Sequence, residues 1–175
     1  MFRSIVAAAS LLILSAGPVM AGPPSSDQAF FQSVQGEWAG AGEIVAGKYK
    51  GTKFNCKLAG VQSLADAAMT IGGTCRVGIF SQRMEAKIHW AKGGYRGAFL
   101  DGALGKGLDI VGGNVGGSRA IFTLKRNELN GAMLARVTDG DKMTITISVR
   151  VGDGMVPVIG LGLNRIDAVT TSSVR

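Results

Sequence analysis

Residues 138–151 read Thr138-Asp139-Gly140-Asp141-Lys142-Met143-Thr144-Ile145-Thr146-Ile147-Ser148-Val149-Arg150-Val151. From Lys142 onward the apolar and polar side chains alternate without a break. Met143, Ile145, Ile147, Val149 and Val151 share one face; Lys142, Thr144, Thr146, Ser148 and Arg150 share the other. A period of two is that of a strand with one buried face, because successive side chains point to opposite sides of the backbone. Asp139-Gly140 sits between this run and the preceding one. That dipeptide predicts a two-residue hairpin, since a type I′ turn needs positive φ at both central residues.

The same alternation recurs outward from this stretch. Phe54, Cys56 and Leu58 oppose Lys53, Asn55 and Lys57. Cys75, Val77 and Ile79 form a second set. Met84, Ala86, Ile88 and Trp90 oppose Glu85, Lys87 and His89, and Ala120, Phe122 and Leu124 make a further apolar row. Gly60, Gly72-Gly73, Gly93-Gly94, Gly112-Gly113 and Gly152 fall between or beside these runs and read as turns, while Asn130-Gly131 also suits a strand interior. About nine to eleven short strands result. With so little helix to cover them, they predict an all-β fold, a single antiparallel barrel or a closely related sandwich. The exceptions are a short helix within 25–35, capped by Ser26 or Asp27 and carrying Phe30, Phe31 and Val34, and a weaker helical pattern over Val61–Ala68.

The chain has 175 residues, 19 Lys plus Arg against 12 Asp plus Glu, and 27 Gly. That length suits one domain with a substantial core, and the 18% charged fraction excludes a disordered chain. Residues 1–21 carry Arg3, an apolar run over 5–14, the breakers Gly17-Pro18 and Val19-Met20-Ala21, which together read as a signal peptide cleaved after Ala21. The expected organisation is leader 1–21, an N-terminal segment 22–35 with the short helix, and one barrel domain over 36–175. The expected location is the periplasm or the exterior. The apolar run is half the roughly 20 residues a spanning helix needs, so a membrane-spanning segment is not expected. Cys56 and Cys75, alone in an oxidising compartment, predict a structural disulfide worth about 3 kcal/mol in the chain-entropy model.

The positive balance points to anionic surfaces outside the cell and not to nucleic acid, although the cations are scattered singly along the strands. The chemistry-bearing motifs fail one by one. His89, the single histidine, lies on the polar face of its strand, and there is no G-x-S-x-G elbow. Zinc needs three or four ligands, so no metal is expected. Gly42 to Lys48 spells G-x-x-x-x-G-K, but Tyr49 stands where a phosphate loop requires Ser or Thr. The glycines over 102–117 never give a dinucleotide fingerprint before a helix, and read as a mobile hairpin or a loop at a barrel mouth. Asp101 and Asp109 are unmarked as a carboxylate pair. No enzyme and no cofactor are expected.

Gly36-Glu37-Trp38, after a short helix and opening the first strand, resembles the lipocalin-like (calycin) superfamily, in which G-x-W begins the first barrel strand. Arg165 falls where that superfamily stacks a basic side chain on the Trp. The resemblance implies an up-and-down barrel with a cup for a small apolar ligand, its floor closed by Trp38 and Arg165. The superfamily's T-D-Y signature is departed from, since Gly140 follows Thr138-Asp139. G-x-W also opens small bacterial barrels that inhibit secreted metalloproteases and carry one disulfide.

The expected function is non-catalytic binding of a small apolar or amphipathic molecule, such as a lipid, by a monomeric cell-envelope protein. The expected lining is Phe54, Met84, Ile88, Trp90, Phe99, Phe122, Met133, Ile145 and Ile147. The alternative is a protein-binding envelope module, a protease inhibitor or structural partner, working through residues 22–35 and 101–117. Alternation is the same for a hollow barrel and a filled one.

Overall fold

The computed structural model describes residues 25–63, 68–100 and 107–166. The leader reading falls outside them, as does the middle of the Val61–Ala68 helical pattern. Helix α1 (Ser25–Val34) precedes ten strands. They are β1 (Gly36–Ile44), β2 (Lys53–Ser63), β3 (Ala68–Val77), β4 (Phe80–Ala91) and β5 (Gly94–Leu100), followed by β6 (Leu108–Gly116), β7 (Arg119–Arg126), β8 (Leu129–Thr138), β9 (Lys142–Val151) and β10 (Gly154–Arg165). Each strand pairs antiparallel with its chain neighbour, and β10 closes the ring on β1, from Trp38 opposite Arg165 to Ile44 opposite Ile159. The barrel has no free sheet edge, so every strand's backbone finds partners on both sides.

This topology sorts the connections. Those after β1, β3, β5, β7 and β9 lie at one end, here the upper end. Those after β2, β4, β6 and β8 lie at the lower end, with α1 and both ends of the barrel sheet. The Asp139-Gly140 turn has φ of 55° and 75°, the positive pair that a type I′ hairpin requires. Gly93, Gly117 and Gly152 also sit in tight turns with positive φ.

Other glycines read as punctuation are inside strands: Gly60 in β2, Gly72 and Gly73 in β3, and Gly112 and Gly113 in β6, while Gly131 is inside β8, as the strand-interior reading of Asn130-Gly131 has it. Their role is closeness. A Cβ on Gly60 would collide with the Val34 carbonyl at the end of α1, so only glycine lets the helix settle there. Three further expectations change. Val61–Ser63 is strand and not helix. Ile79 is 90% exposed at the β3–β4 tip and does not share the inner face of Cys75, and Val151 likewise projects beyond the barrel. Residues 108–116, within the stretch read as a mobile hairpin or a loop at a barrel mouth, form strand β6; 101–106 are outside the described residues.

Candidate functional site

The lower end is filled. Helix α1 presents Phe30, Phe31 and Val34 to the interior, all buried. Their spacing is one helical face, which is why this short segment folds against the barrel and not beside it. Phe31 meets Tyr95 edge-on at 5.6 Å, and Tyr95 meets Trp90 at 5.0 Å and Phe122 at 5.7 Å. The Tyr95 hydroxyl donates to the Asp27 carboxylate at 2.6 Å, in a buried position. Burial, then the Asp27 carboxylate, pushes the Tyr95 phenol well above its usual range. Asp27 is therefore no helix cap. It lies in the first turn of α1 and points inward, where it also accepts from Ser26 Oγ at 3.2 Å.

Trp38 is fully buried and donates through Nε1 to the Val34 carbonyl at 2.9 Å. The Arg165 guanidinium stands 4.3 Å from the Trp38 ring centroid. The same guanidinium donates to the carbonyls of Ser33 at 2.9 Å, of Gly140 at 2.8 Å, and of Gln35. It thus ties the end of α1 and the β8–β9 turn to the first and last strands. Lys could not replace it, since the planar fork supplies the directions of all three bonds while stacking on the indole.

Above this floor the interior is hollow. A cavity of about 280 Å³ is bounded by residues of β1 to β5 and β8 to β10. Fifteen of its eighteen lining residues are apolar; the polar three are Ser81, Gln82 and Glu85. Cys56 and Cys75, opposite one another on β2 and β3 with Cα atoms 4.0 Å apart, are bridged, and Cys75 lines the cavity wall. Val77 and Phe80, both exposed, also line the cavity, so it reaches the surface at the β3–β4 tip. Glu85 borders the cavity from the polar face of β4, is buried, and pairs with Lys87 at 2.9 Å and Arg83 at 3.2 Å. The Lys87 hydrogen bond, helped by Arg83, holds its carboxyl below the usual range against the opposing effect of burial.

Six of the nine lining candidates bound this cavity: Phe54, Met84, Phe99, Met133, Ile145 and Ile147. Ile88, Trp90 and Phe122 do not. They point inward as alternation requires, but they sit low enough to pack into the core around Tyr95. Ile44, Ile71, Ile159 and Leu161 line the cavity and were not singled out. Leu161 was recoverable, being directly opposite Ile145 across the β9–β10 pair. Tyr95 was also missed; a lone aromatic after a Gly-Gly turn gives no sign of a partner 68 residues earlier. His89 is exposed on the outer wall, and so is Asp109. No group of three or more His, Cys, Asp or Glu among the described residues could hold a metal ion. Among the same residues, no helix is long and apolar enough to cross a membrane.

No family model and no curated sequence matches the chain. Solved structures do. Rv2717c from M. tuberculosis is similar with a TM-score of 0.54 at 14% identity, over 82% of this chain and 98% of that one. A point mutant of the fluorescent protein UnaG is similar with a TM-score of 0.56 at 17% identity, over 77% and 97%. Wild-type UnaG gives 0.50 at 15% identity, over 78% and 99%. UnaG has a fatty-acid-binding-protein (calycin) fold. At these identities the likeness is one of fold, and it extends to the closed antiparallel barrel that the Gly36-Glu37-Trp38 resemblance implies.

Proposed function

We propose that this is an exported, non-catalytic cell-envelope protein that holds a small apolar or amphipathic molecule, such as a lipid, in the upper half of its barrel. The observation that carries the reading is the cavity of about 280 Å³, apolar along its walls and reaching the surface at the β3–β4 tip. Its size is near the lower end of ligand pockets, which run from roughly 300 Å³ upward. Binding draws on burial of apolar surface, at about 25 cal/mol per Å². Ser81 and Gln82 at the rim offer polar contacts to one end of an amphipathic molecule. The likeness to UnaG supports the barrel that encloses this cavity, and the ligand reading rests on the cavity itself. Export is supported by the leader pattern and by the Cys56–Cys75 bridge, a bond that persists in oxidising compartments.

The alternative of a protein-binding module that works through residues 22–35 has less support. Phe30, Phe31 and Asp27 of that segment are buried in the floor, and a free binding arm keeps such residues available.

Native mass spectrometry of protein purified gently from its own compartment, beside the same sample denatured, tests the proposal. A small-molecule adduct lost on denaturation is expected. A bare mass that stays bare after challenge with lipids and other apolar compounds overturns it.

A further inference from the structure

Apolar exposure is not spread evenly over the barrel. Of fourteen exposed large apolar side chains among the described residues, ten lie at the upper end. Ile79 and Phe80, 90% and 74% exposed, project from the β3–β4 tip. Val151, Met155 and Val156 project from the β9–β10 tip, and Tyr49 from the β1–β2 connection. A water-soluble protein rarely gathers so much apolar surface at one end without a use for it.

The upper end is also cationic. Within three residues of the upper strand ends, the described residues include seven Lys or Arg against four carboxylates, Glu43, Asp109, Glu128 and Asp153. At the lower end the corresponding figures are six and three, so both ends are net positive and what sets the upper one apart is the exposed apolar tips among its cations. Lys48, Lys50, Lys53, Arg76, Lys125 and Arg150, all exposed, surround the apolar tips. Apolar side chains at the apex with cations set behind them match the layering of an anionic bilayer, where phosphate groups lie outside the hydrocarbon. The barrel wall fits no such layer, because Lys57, Lys87 and Asp109 are exposed along it.

We propose that the upper end of the barrel docks on anionic lipid bilayers, with Ile79 and Phe80 entering the interface first. The protein rests on the membrane and does not span it. Phe80 belongs to both features, the docking tip and the cavity rim, so docking sets the mouth of the barrel against the lipid. The surface itself requires no occupant in the barrel, and it stands or falls independently of the ligand reading.

Co-sedimentation with vesicles of phosphatidylcholine, with and without phosphatidylglycerol, tests it. Binding is expected only with phosphatidylglycerol, and it weakens as salt screens the cations. The double variant Ile79→Ser/Phe80→Ser lowers partitioning by about tenfold or more, whereas Val111→Ser/Ile121→Ser, exposed at 40% and 42% on the wall, leaves it unchanged. Lys48→Glu/Lys50→Glu lowers binding and flattens the salt dependence. Thermal unfolding confirms that each variant is folded. Absence of binding, equal binding to both vesicle types, or a tip variant that binds like the parent overturns the proposal. So does a tip-dependent dimer that ignores vesicles, which would assign the apolar tips to a second copy. An apolar probe's uptake by the tip variant, measured in the same samples, separates loss of docking from loss of the cavity.

Discussion

The two ends of this barrel are built from the same alternating strands and do opposite things. At the lower end, inward positions carry Trp38, Trp90, Tyr95 and Phe122, and α1 adds Phe30 and Phe31, so the interior is packed with rings. At the upper end, inward positions carry mostly medium aliphatics and Met, no element among the described residues covers them, and a cavity remains. The difference is one of volume supplied and not of pattern. A barrel interior of given strand number has a set width, and whether it is full depends on which side chains and which extra segment enter it.

Substitutions at the floor should therefore cost far more than substitutions above it. Trp38→Ala removes a fully buried indole together with its hydrogen bond to Val34 and its stacking on Arg165. The expected loss is about 3–5 kcal/mol, read as a lower urea midpoint, because a packed floor does not collapse into the space. A loss under about 1 kcal/mol would show that the floor is already loose and would break the comparison.

Tyr95→Phe leaves the buried Oδ2 of Asp27 without its Tyr95 donor, Ser26 Oγ serving only Oδ1, at an expected cost of about 1–3 kcal/mol. It also has a pH signature. The Tyr95 phenol is raised in the folded state, so its stabilisation is complete below the unfolded value near 10.0. Above that pH the unfolded chain releases the proton while the folded one retains it, and stability falls as pH rises. The alkaline slope of unfolding free energy should be shallower in Tyr95→Phe than in the parent. An unchanged slope would mean that Tyr95 is not held neutral by the floor.

A pair of enlargements sharpens the contrast. Phe122→Trp overpacks the floor and should cost about 1–3 kcal/mol. Ile145→Phe adds its ring to existing space in the cavity and should stay within about 1 kcal/mol of the parent. The same Ile145→Phe protein should take up less of an apolar fluorescent probe, measured by titration, while Phe122→Trp takes up as much as the parent.

The smallest effect belongs to the outer wall. Glu85→Gln loses its ion pairs with Arg83 and Lys87; the Glu85 side chain is only 10% exposed, but its partners are 79% and 62% exposed and hydrated, so about 1 kcal/mol is expected. Because the Glu85 carboxyl is depressed in the folded state, its contribution is present above the usual value of 4.5 and disappears as pH falls below it. Parent and variant should converge in stability in acid.

Much of this architecture was legible because alternation is a local property. The Met143 to Ile147 face, the Asp139-Gly140 hairpin and the short helix before Gly36-Glu37-Trp38 each follow from neighbours in the chain, and the Cys56–Cys75 pairing from there being only two cysteines. What was misread needed distance. Gly60 reads as a turn until the Val34 carbonyl is seen against it. Asp27 reads as a cap until Tyr95 is seen to donate to it. Ile79 continues an alternating row on paper, but the strand ends at Val77 and the tip carries it into solvent.

The candidate site divides in the same way. By itself the sequence determined which side chains face inward, because each inward position is set by the two-residue period of its own strand. It did not determine their height in the barrel. That depends on the stagger between strands and on where α1 docks, which are relations between residues far apart in the chain. Only the tertiary structure decided that Ile88, Trp90 and Phe122 complete a floor while Phe54, Met84, Phe99, Met133, Ile145 and Ile147 surround a hollow. Facing inward is a property of one strand, whereas enclosing a space is a property of the closed ring.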